Sequence, residues 1–280
     1  MIAVCITTYN QESFIAQAIE SVLKQQCDEP IRIYIGDDAS TDGTAAICQK
    51  YAQQDQCIVY VRRLQNIGLL ENTIDVYRRI IDDGCEFIAM LDGDDYWTDA
   101  HKLQIQVDYL RLHPEVGLVH TAAYEDVDGA LKENDNPNKP TGDIHLLYNR
   151  EGAQHTNCTV LFRSSLLQVP ELEAISEQRF LMIDYPLYGL FSQRTHFGYI
   201  HQYTAAWRKH TSTSQPVAIY PFLRYQYHYA RAWKWLDKRN SGAFHFSWFK
   251  ALKWYVWQVV YSVIHYSKVY ITHKFGKKMQ

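Results

Sequence analysis

The sequence predicts an α/β fold: a mixed, mostly parallel sheet flanked by helices, with a helical amphipathic extension at the C-terminal end. Three observations carry this. Short apolar runs at 2–8 (IAVCITT), 31–36 (IRIYIG), 57–61 (CIVYV) and 86–91 (EFIAML) have the near-continuous hydrophobicity of strands buried on both faces. Helical patterns lie between them, and strands alternating with helices imply right-handed crossovers and parallel pairing. With 280 residues, 47% of them hydrophobic, the chain can bury a sizeable core, which sets disorder aside.

The first strand ends in TTYN. After it, Phe14, Ile15, Ala18, Ile19, Val22 and Leu23 recur at helical spacing over 14–23. The second strand ends in GDDAS, weaker helical patterns fill 44–52 and 70–81, and the fourth strand runs into DGDD. Ligands of parallel sheets bind outside the carboxyl ends of the strands, so these three endings line one rim. Past residue 100 the pattern changes to a helix at about 99–112, a strand at 116–121, a hairpin around Asp128-Gly129 and a polar loop over 132–143.

The six cysteines show no C-x-x-C pair and no zinc-site spacing, so they read as small buried apolar residues in a reducing compartment. Met1 runs straight into IAVCITTY without a basic stretch or cleavage-site pattern, which argues against a signal peptide, and no apolar run is long enough to span a bilayer. A net charge of −3 hides an asymmetry: from residue 201 onward 13 Lys/Arg face the single acid Asp237, leaving 15 basic and 30 acidic residues before it.

Asp92, Asp94 and Asp95 concentrate negative charge at the end of an apolar strand. Like charges a few ångströms apart raise each other's pKa unless a cation joins them, and Mg²⁺ or Mn²⁺ takes a few carboxylate oxygens and completes its shell with phosphates and water. A solvated turn, with Asp99 capping the next helix, fits an isolated D-x-D equally. The chain has no G-x-x-x-x-G-K-[ST] and no G-x-G-x-x-G, so a phosphate bound here is not cradled by a glycine-rich loop.

In this order and at these separations, VCITTYNQESFIAQAIESVLKQQ, IYIGDDASTDGT, QNIGLLENTIDVY and FIAMLDGDDYW resemble the family 2 glycosyltransferases of GT-A fold, over roughly residues 2–110. Any one of the four is weak; the set is specific. The resemblance implies a nucleotide-sugar donor, usually a UDP-sugar, with Thr7, Tyr9 and Asp38 around the base and ribose. It makes Asp92 and Asp94 the D-x-D pair that meets the ribose and the diphosphate-bound Mn²⁺ or Mg²⁺, with Asp95 a further metal ligand. Without it, Thr7 and Tyr9 read as strand-end packing and Asp38 as a turn or cap. Asn66 and either Arg62 or Arg63 sit where the family places donor contacts; a solvated strand end fits these residues too.

Sugar transfer with inversion needs a carboxylate to take the acceptor hydroxyl proton, distinct from the metal aspartates. Asp184, in RFLMIDYPLYGL, lies where the family places that base; an Asp before a Pro-started helix is also a common N-cap, and the roles are compatible. AAWRKHTSTSQ, 205–215, resembles the family's closing motif over the donor diphosphate, which makes His210 a metal or phosphate ligand. QHTNCTVLFRSSLL, 154–167, resembles the strand that begins the acceptor pocket, with His155 or Asn157 as contacts.

This reading divides the chain into a catalytic domain, 1–220, with a nucleotide-sugar half (1–98) and an acceptor half (99–220), and a basic aromatic tail, 221–280. Within 243–271, Leu252, Val256, Val259, Val260 and Val263 fall on one side of a helix and Lys250, Lys253, His265 and Lys268 mostly on the other, which suits an anionic membrane surface. A helix packed on a protein fits as well, and no nucleic-acid module accompanies the tail. The expectation is an inverting, metal-dependent transferase, cytoplasmic and peripheral on the inner face of the cell membrane, acting on a glycan or lipid-linked acceptor in cell-surface polysaccharide synthesis. Two rivals stand: a sugar-phosphate nucleotidyltransferase, which needs a glycine-rich basic loop that TTYNQES lacks, and a non-catalytic nucleotide-sugar-binding protein.

Overall fold

A computed structural model describes residues 1–134, 156–209 and 219–242, and positions 246–247, 249–253, 256 and 260 of the tail. It forms two compact units, Met1–His210 and Thr211–Gln280. In the first, strands β1 (Ile2–Thr8), β2 (Ile31–Asp37), β3 (Ile58–Arg62) and β4 (Phe87–Asp92) alternate with helices α1 (Ile15–Leu23), α2 (Thr44–Gln54) and α3 (Leu69–Asp82). The four strands lie side by side in the order β3-β2-β1-β4, all parallel.

This order explains the apolar runs. Alternate residues of β1, Ile2, Val4 and Ile6, join Ile15, Ala18, Ile19 and Val22 of α1 and Leu103, Val107 and Leu110 of α4 (Lys102–Leu112) in one core layer. The opposite face is covered by α3, whose Tyr77 hydroxyl reaches the Met90 sulfur at 3.1 Å. A strand buried on both faces has no polar alternation to show.

The remaining strands extend the sheet beyond β4 in the order β4-β8-β6-β9-β5. They are β5 (Tyr96–Trp97), β6 (Val116–Val127), β7 (Ala130–Asn134), β8 (Leu161–Arg163) and β9 (His196–Lys209); β6 and β9 are parallel, and β8, β5 and β7 pair antiparallel to their neighbours. Asp128 and Gly129, at φ 51° and 86°, make the tight turn that the sequence marks. That turn brings Ala130–Asn134 back onto β6, so the polar stretch expected to be loop from 132 begins as an exposed edge strand; its continuation lies outside the described residues. Helices α5 (Val169–Glu177) and α6 (Asp184–Phe191) also belong to this unit. All six cysteines are free thiols.

The second unit holds α7 (Ile219–Arg239), and residues 249–253, 256 and 260 are helical. Among the described residues no helix is long and apolar enough to cross a membrane.

Candidate active site

After β3 the chain returns over the sheet through α3 to lay β4 on the other side of β1. The boundary between β1 and β4 is therefore the point where strand order reverses, and the crevice outside it is where open α/β sheets bind ligands. Register fixes what meets there: Thr7 lies opposite Asp92, and Thr8 opposite Asp37.

Gly93 lets the turn after β4 fold down on the TTYN end of β1. Its N–H donates to the Thr7 carbonyl at 3.0 Å, and a Cβ at this position would strike the Gln11 side chain and come within 2.9 Å of Thr8 Cβ. Thr7 is buried and contributes its main chain, while Tyr9 lies at the rim with 45% of its surface open.

The GDDAS end of β2 is stitched to two neighbouring loops. Asp37 is fully buried and accepts from Ser40 N–H at 2.9 Å and from the Tyr60 hydroxyl at 2.7 Å. Asp38, followed by Ala39 in the left-handed region at φ 62°, accepts from Ile67 and Gly68 N–H at 2.7 and 2.8 Å. It thus anchors the loop that carries Asn66, whose side-chain oxygen accepts from Gly68 N–H at 3.2 Å. Of the two arginines left open by the sequence, Arg62 donates to the Ser40 carbonyl at 2.9 Å, and Arg63 pairs with Asp75 at 2.6 Å and donates to Asn72 at 3.0 Å. Both brace the rim.

The three aspartates after β4 have different surroundings. Burial first, then the charges of Asp94 and Asp184, push the Asp92 carboxyl up to about 7, against an Asn157 hydrogen bond that lowers it. Asp95 is buried, and burial with the charges of Asp94 and Asp92 raises its carboxyl well above the usual range. It accepts from Arg208 N–H at 2.8 Å and from the Cys158 thiol, so it braces the turn from the protein side. Among the described residues no group of three or more His, Cys, Asp or Glu side chains is gathered to hold an ion. The donor chemistry still suits one: Mg²⁺ and Mn²⁺ sites commonly take one or two carboxylates with substrate phosphates, and Asp92 carries charge that Asp94 and Asp184 aggravate. His210 and His155 lie outside the described residues.

Asp184 opens α6 as its first residue; Ile183 is the N-cap, so Asp184 is not itself the cap. Its carboxyl is raised by burial, while backbone N–H groups of Tyr185 and Asp184 lower it, and its charge is felt at Asp92. A carboxylate whose pKa is raised is a better proton acceptor than a solvated one.

Two residues that lie in motif segments of the sequence have partners that the sequence does not reveal. Arg208 of β9 donates through its guanidinium to the Asp94 carbonyl at 2.5 Å and to Gln17 at 2.6 Å, and lies 4.7 and 4.8 Å from the ring centroids of Phe14 and Tyr96. Its position in the WRKH segment is the only signal. Asn157, expected to contact the acceptor, faces Asp92: its amide nitrogen lies 3.3 and 3.2 Å from the two carboxylate oxygens.

Known proteins resemble this chain in sequence and in fold. A protein of Mycobacterium tuberculosis without an assigned function is 41% identical over 109 residues, covering 39% of this chain and 31% of that protein. The putative teichuronic acid biosynthesis glycosyltransferase TuaG of Bacillus subtilis is 32% identical over 110 residues, 39% of this chain and 42% of the relative. The matched stretch thus spans less than half the length of either. Among solved structures, residues 1–349 of S. aureus TarS in complex with UDP-GlcNAc superpose with a TM-score of 0.61 at 18% identity, covering 83% of this chain and 66% of that one. The mannosyltransferase PcManGT of Pyrobaculum calidifontis, in complex with GDP-Man and Mn²⁺, gives 0.59 at 14% identity, covering 95% and 75%. Both share the fold, and glycosyltransferases of this shape are of GT-A type. The model of glycosyl transferase family 2 matches residues 3–169. The chain belongs to glycosyl transferase family 2.

Proposed function

We propose that this chain is an inverting glycosyltransferase that binds a nucleotide-sugar at the β1/β4 rim and transfers its sugar to a hydroxyl of a glycan or lipid-linked acceptor. The observation that carries the reading is that Asp92, at the rim, is joined through Asn157 and the Tyr188 hydroxyl to α6, the helix that Asp184 opens. One carboxylate faces the donor side and a separate one is left for proton transfer.

In this reading Thr7, Tyr9, Asp38 and Asn66 frame the base and ribose. Tyr9 offers an exposed ring for stacking, and Asp38 fixes the loop that carries Asn66. Asp92 and Asp94 would hold Mn²⁺ or Mg²⁺ together with the donor diphosphate, and His210 would add a ligand from the closing segment. Asp95 is committed to holding the turn. Such an ion, when bound, neutralises the leaving diphosphate. Asp184 takes the acceptor proton as the hydroxyl attacks the anomeric carbon from the face opposite the leaving group, which inverts the configuration.

The relatives narrow the setting. The Bacillus relative is named for teichuronic acid biosynthesis, and the two solved structures hold UDP-GlcNAc and GDP-Man, so a cell-surface polysaccharide and a nucleoside-diphosphate sugar are the proposed context, with UDP the preferred nucleotide. A nucleotidyltransferase is disfavoured by the family match and by the absence of a glycine-rich basic loop after β1. A non-catalytic role is disfavoured because Asp92, Asp94 and Asp184 are all present. The tail supports peripheral attachment to the inner face of the membrane: Phe249, Leu252, Val256 and Val260 are exposed at helical spacing, with Lys250 and Lys253 beside them. A panel of UDP-, GDP- and dTDP-sugars, assayed with Mn²⁺ for release of the nucleoside diphosphate, tests the proposal. Turnover of one or a few donors is expected, and release from none would overturn it.

A further inference from the structure

The 3₁₀ turn Asn157–Thr159, just before β8, touches the aspartate turn at two points. Because β8 runs antiparallel to β4, with Ala89 opposite Leu161 and Met90 N–H donating to the Val160 carbonyl at 3.0 Å, the residues preceding β8 are carried outward to the end of β4. Asn157 arrives at Asp92, and the adjacent Cys158 thiol arrives at Asp95. Trp97 Nε1–H donates to the Cys158 carbonyl at 2.9 Å, and Gln106 donates to the Thr159 carbonyl at 2.8 Å, so the turn is held from behind.

Asn157 is fixed from the other side as well. The Tyr188 hydroxyl donates to its side-chain oxygen at 3.0 Å. The Asn157 NH₂ faces Asp92 and its oxygen faces the Tyr188 hydroxyl, so both ends of the amide are engaged. Tyr188 lies four residues after Asp184 on α6, on the same face of the helix, and the Asp184 charge is felt at both Tyr188 and Asp92. The chain of contacts therefore runs from the candidate base helix, through Tyr188 and Asn157, to the candidate donor-side carboxylate.

We propose that Asn157 and Tyr188 are positioning residues that lock the Asp92 carboxylate in register with the helix bearing Asp184, so that the leaving diphosphate and the attacking hydroxyl are held in line. The inference rests on the donor-side role of Asp92 and the base role of Asp184 given above. In-line displacement is sensitive to small misplacements of the reacting groups, and hydrogen-bond partners that orient metal-binding carboxylates matter for both affinity and rate. Neither residue touches substrate in this scheme; each acts through Asp92.

The test uses the full chain, Mn²⁺ with UDP as the binding probe, and turnover of whichever nucleotide sugar the donor panel identifies. Tyr188→Phe removes one hydroxyl from a packed ring. It should lower kcat by about 10-fold or more, with KM for the donor, Mn²⁺ affinity and thermal midpoint nearly unchanged. Asn157→Ala should cost about 10–100-fold in kcat and weaken Mn²⁺ binding in the presence of UDP. Because the two act as one chain, the double variant should lose no more than Asn157→Ala alone. Wild-type kcat in Tyr188→Phe, or losses that multiply in the double variant, would overturn the proposal. So would a loss that follows unfolding, with kcat per folded molecule unchanged. Asp92→Asn keeps this separate from the reading beneath it: an active Asp92→Asn defeats the donor-site assignment and this inference together, whereas a dead Asp92→Asn beside an unaffected Tyr188→Phe defeats this inference alone.

Discussion

At Asp92 and Asp184 the fold places two carboxyl groups whose pKa values are both raised by burial, and they are proposed to do opposite work. Asp92 sits beside the charges of Asp94 and Asp184, which the proposed cation would offset. Asp184 sits at a helix start, where backbone N–H groups temper the effect of burial, and it is proposed to accept a proton. Asp184→Asn keeps the shape and removes the proton acceptor. Transfer should fall by about 10²–10⁴-fold, the usual worth of a general base, while binding of UDP with Mn²⁺ changes by less than about 3-fold. Isothermal titration beside a turnover assay checks this; unchanged turnover would reduce Asp184 to a helix-start residue. The positions of the D-x-D turn, Asp38 and Asp184 in the fold were legible in the sequence because each stands at the end of a recognisable element. The partners of Asn157 and Arg208 were not, because they are set by the register of β8 on β4 and the path of β9 past β5.

Elements differ in the same way. Strands β1 and β4 announce themselves as apolar runs because both faces are covered, and α1 and α3 because each has one apolar stripe. Strands β5 and β8, of two and three residues, carry too little pattern to be read, and β9 owes its length to pairing with β6 through several register shifts. Helix α4 hides a group that pattern reading passes over. Lys102 is fully buried, its Nζ donating to Gln106 at 2.7 Å and lying 4.3 Å from the Trp97 ring centroid. Burial pulls it down to about 7. The unfolded chain keeps this proton up to its ordinary pKa and the folded chain does not, so Lys102 makes stability rise as pH increases from about 7 to about 10. The penalty is fully present below that window. Lys102→Met should therefore stabilise the protein by on the order of 2–4 kcal/mol at pH 6, at about 1.4 kcal/mol per pKa unit less the lost Gln106 bond, and the gain should shrink toward pH 10. Urea unfolding of both proteins across pH checks this, and a difference flat with pH would contradict it.

Over the whole molecule, charge and function divide along the chain. An acidic first part carries the site, and the part from residue 201 onward holds 13 basic residues and one acid. That sign is wrong for repelling an anionic surface and right for meeting one. A chain ending near residue 240 should keep donor turnover and lose co-sedimentation with phosphatidylserine-containing vesicles; full retention on the vesicles would contradict the membrane reading. The central claim, however, is that the β1/β4 rim binds a nucleotide sugar through a divalent ion held by Asp92. Its most direct measurement is equilibrium binding of the nucleotide-sugar panel to the wild-type chain and to Asp92→Asn, each with Mn²⁺ and with EDTA. The account predicts selective binding by wild type in Mn²⁺ that weakens at least about 10-fold in EDTA and in Asp92→Asn. Equal binding of every donor in EDTA, undiminished in Asp92→Asn, would contradict it.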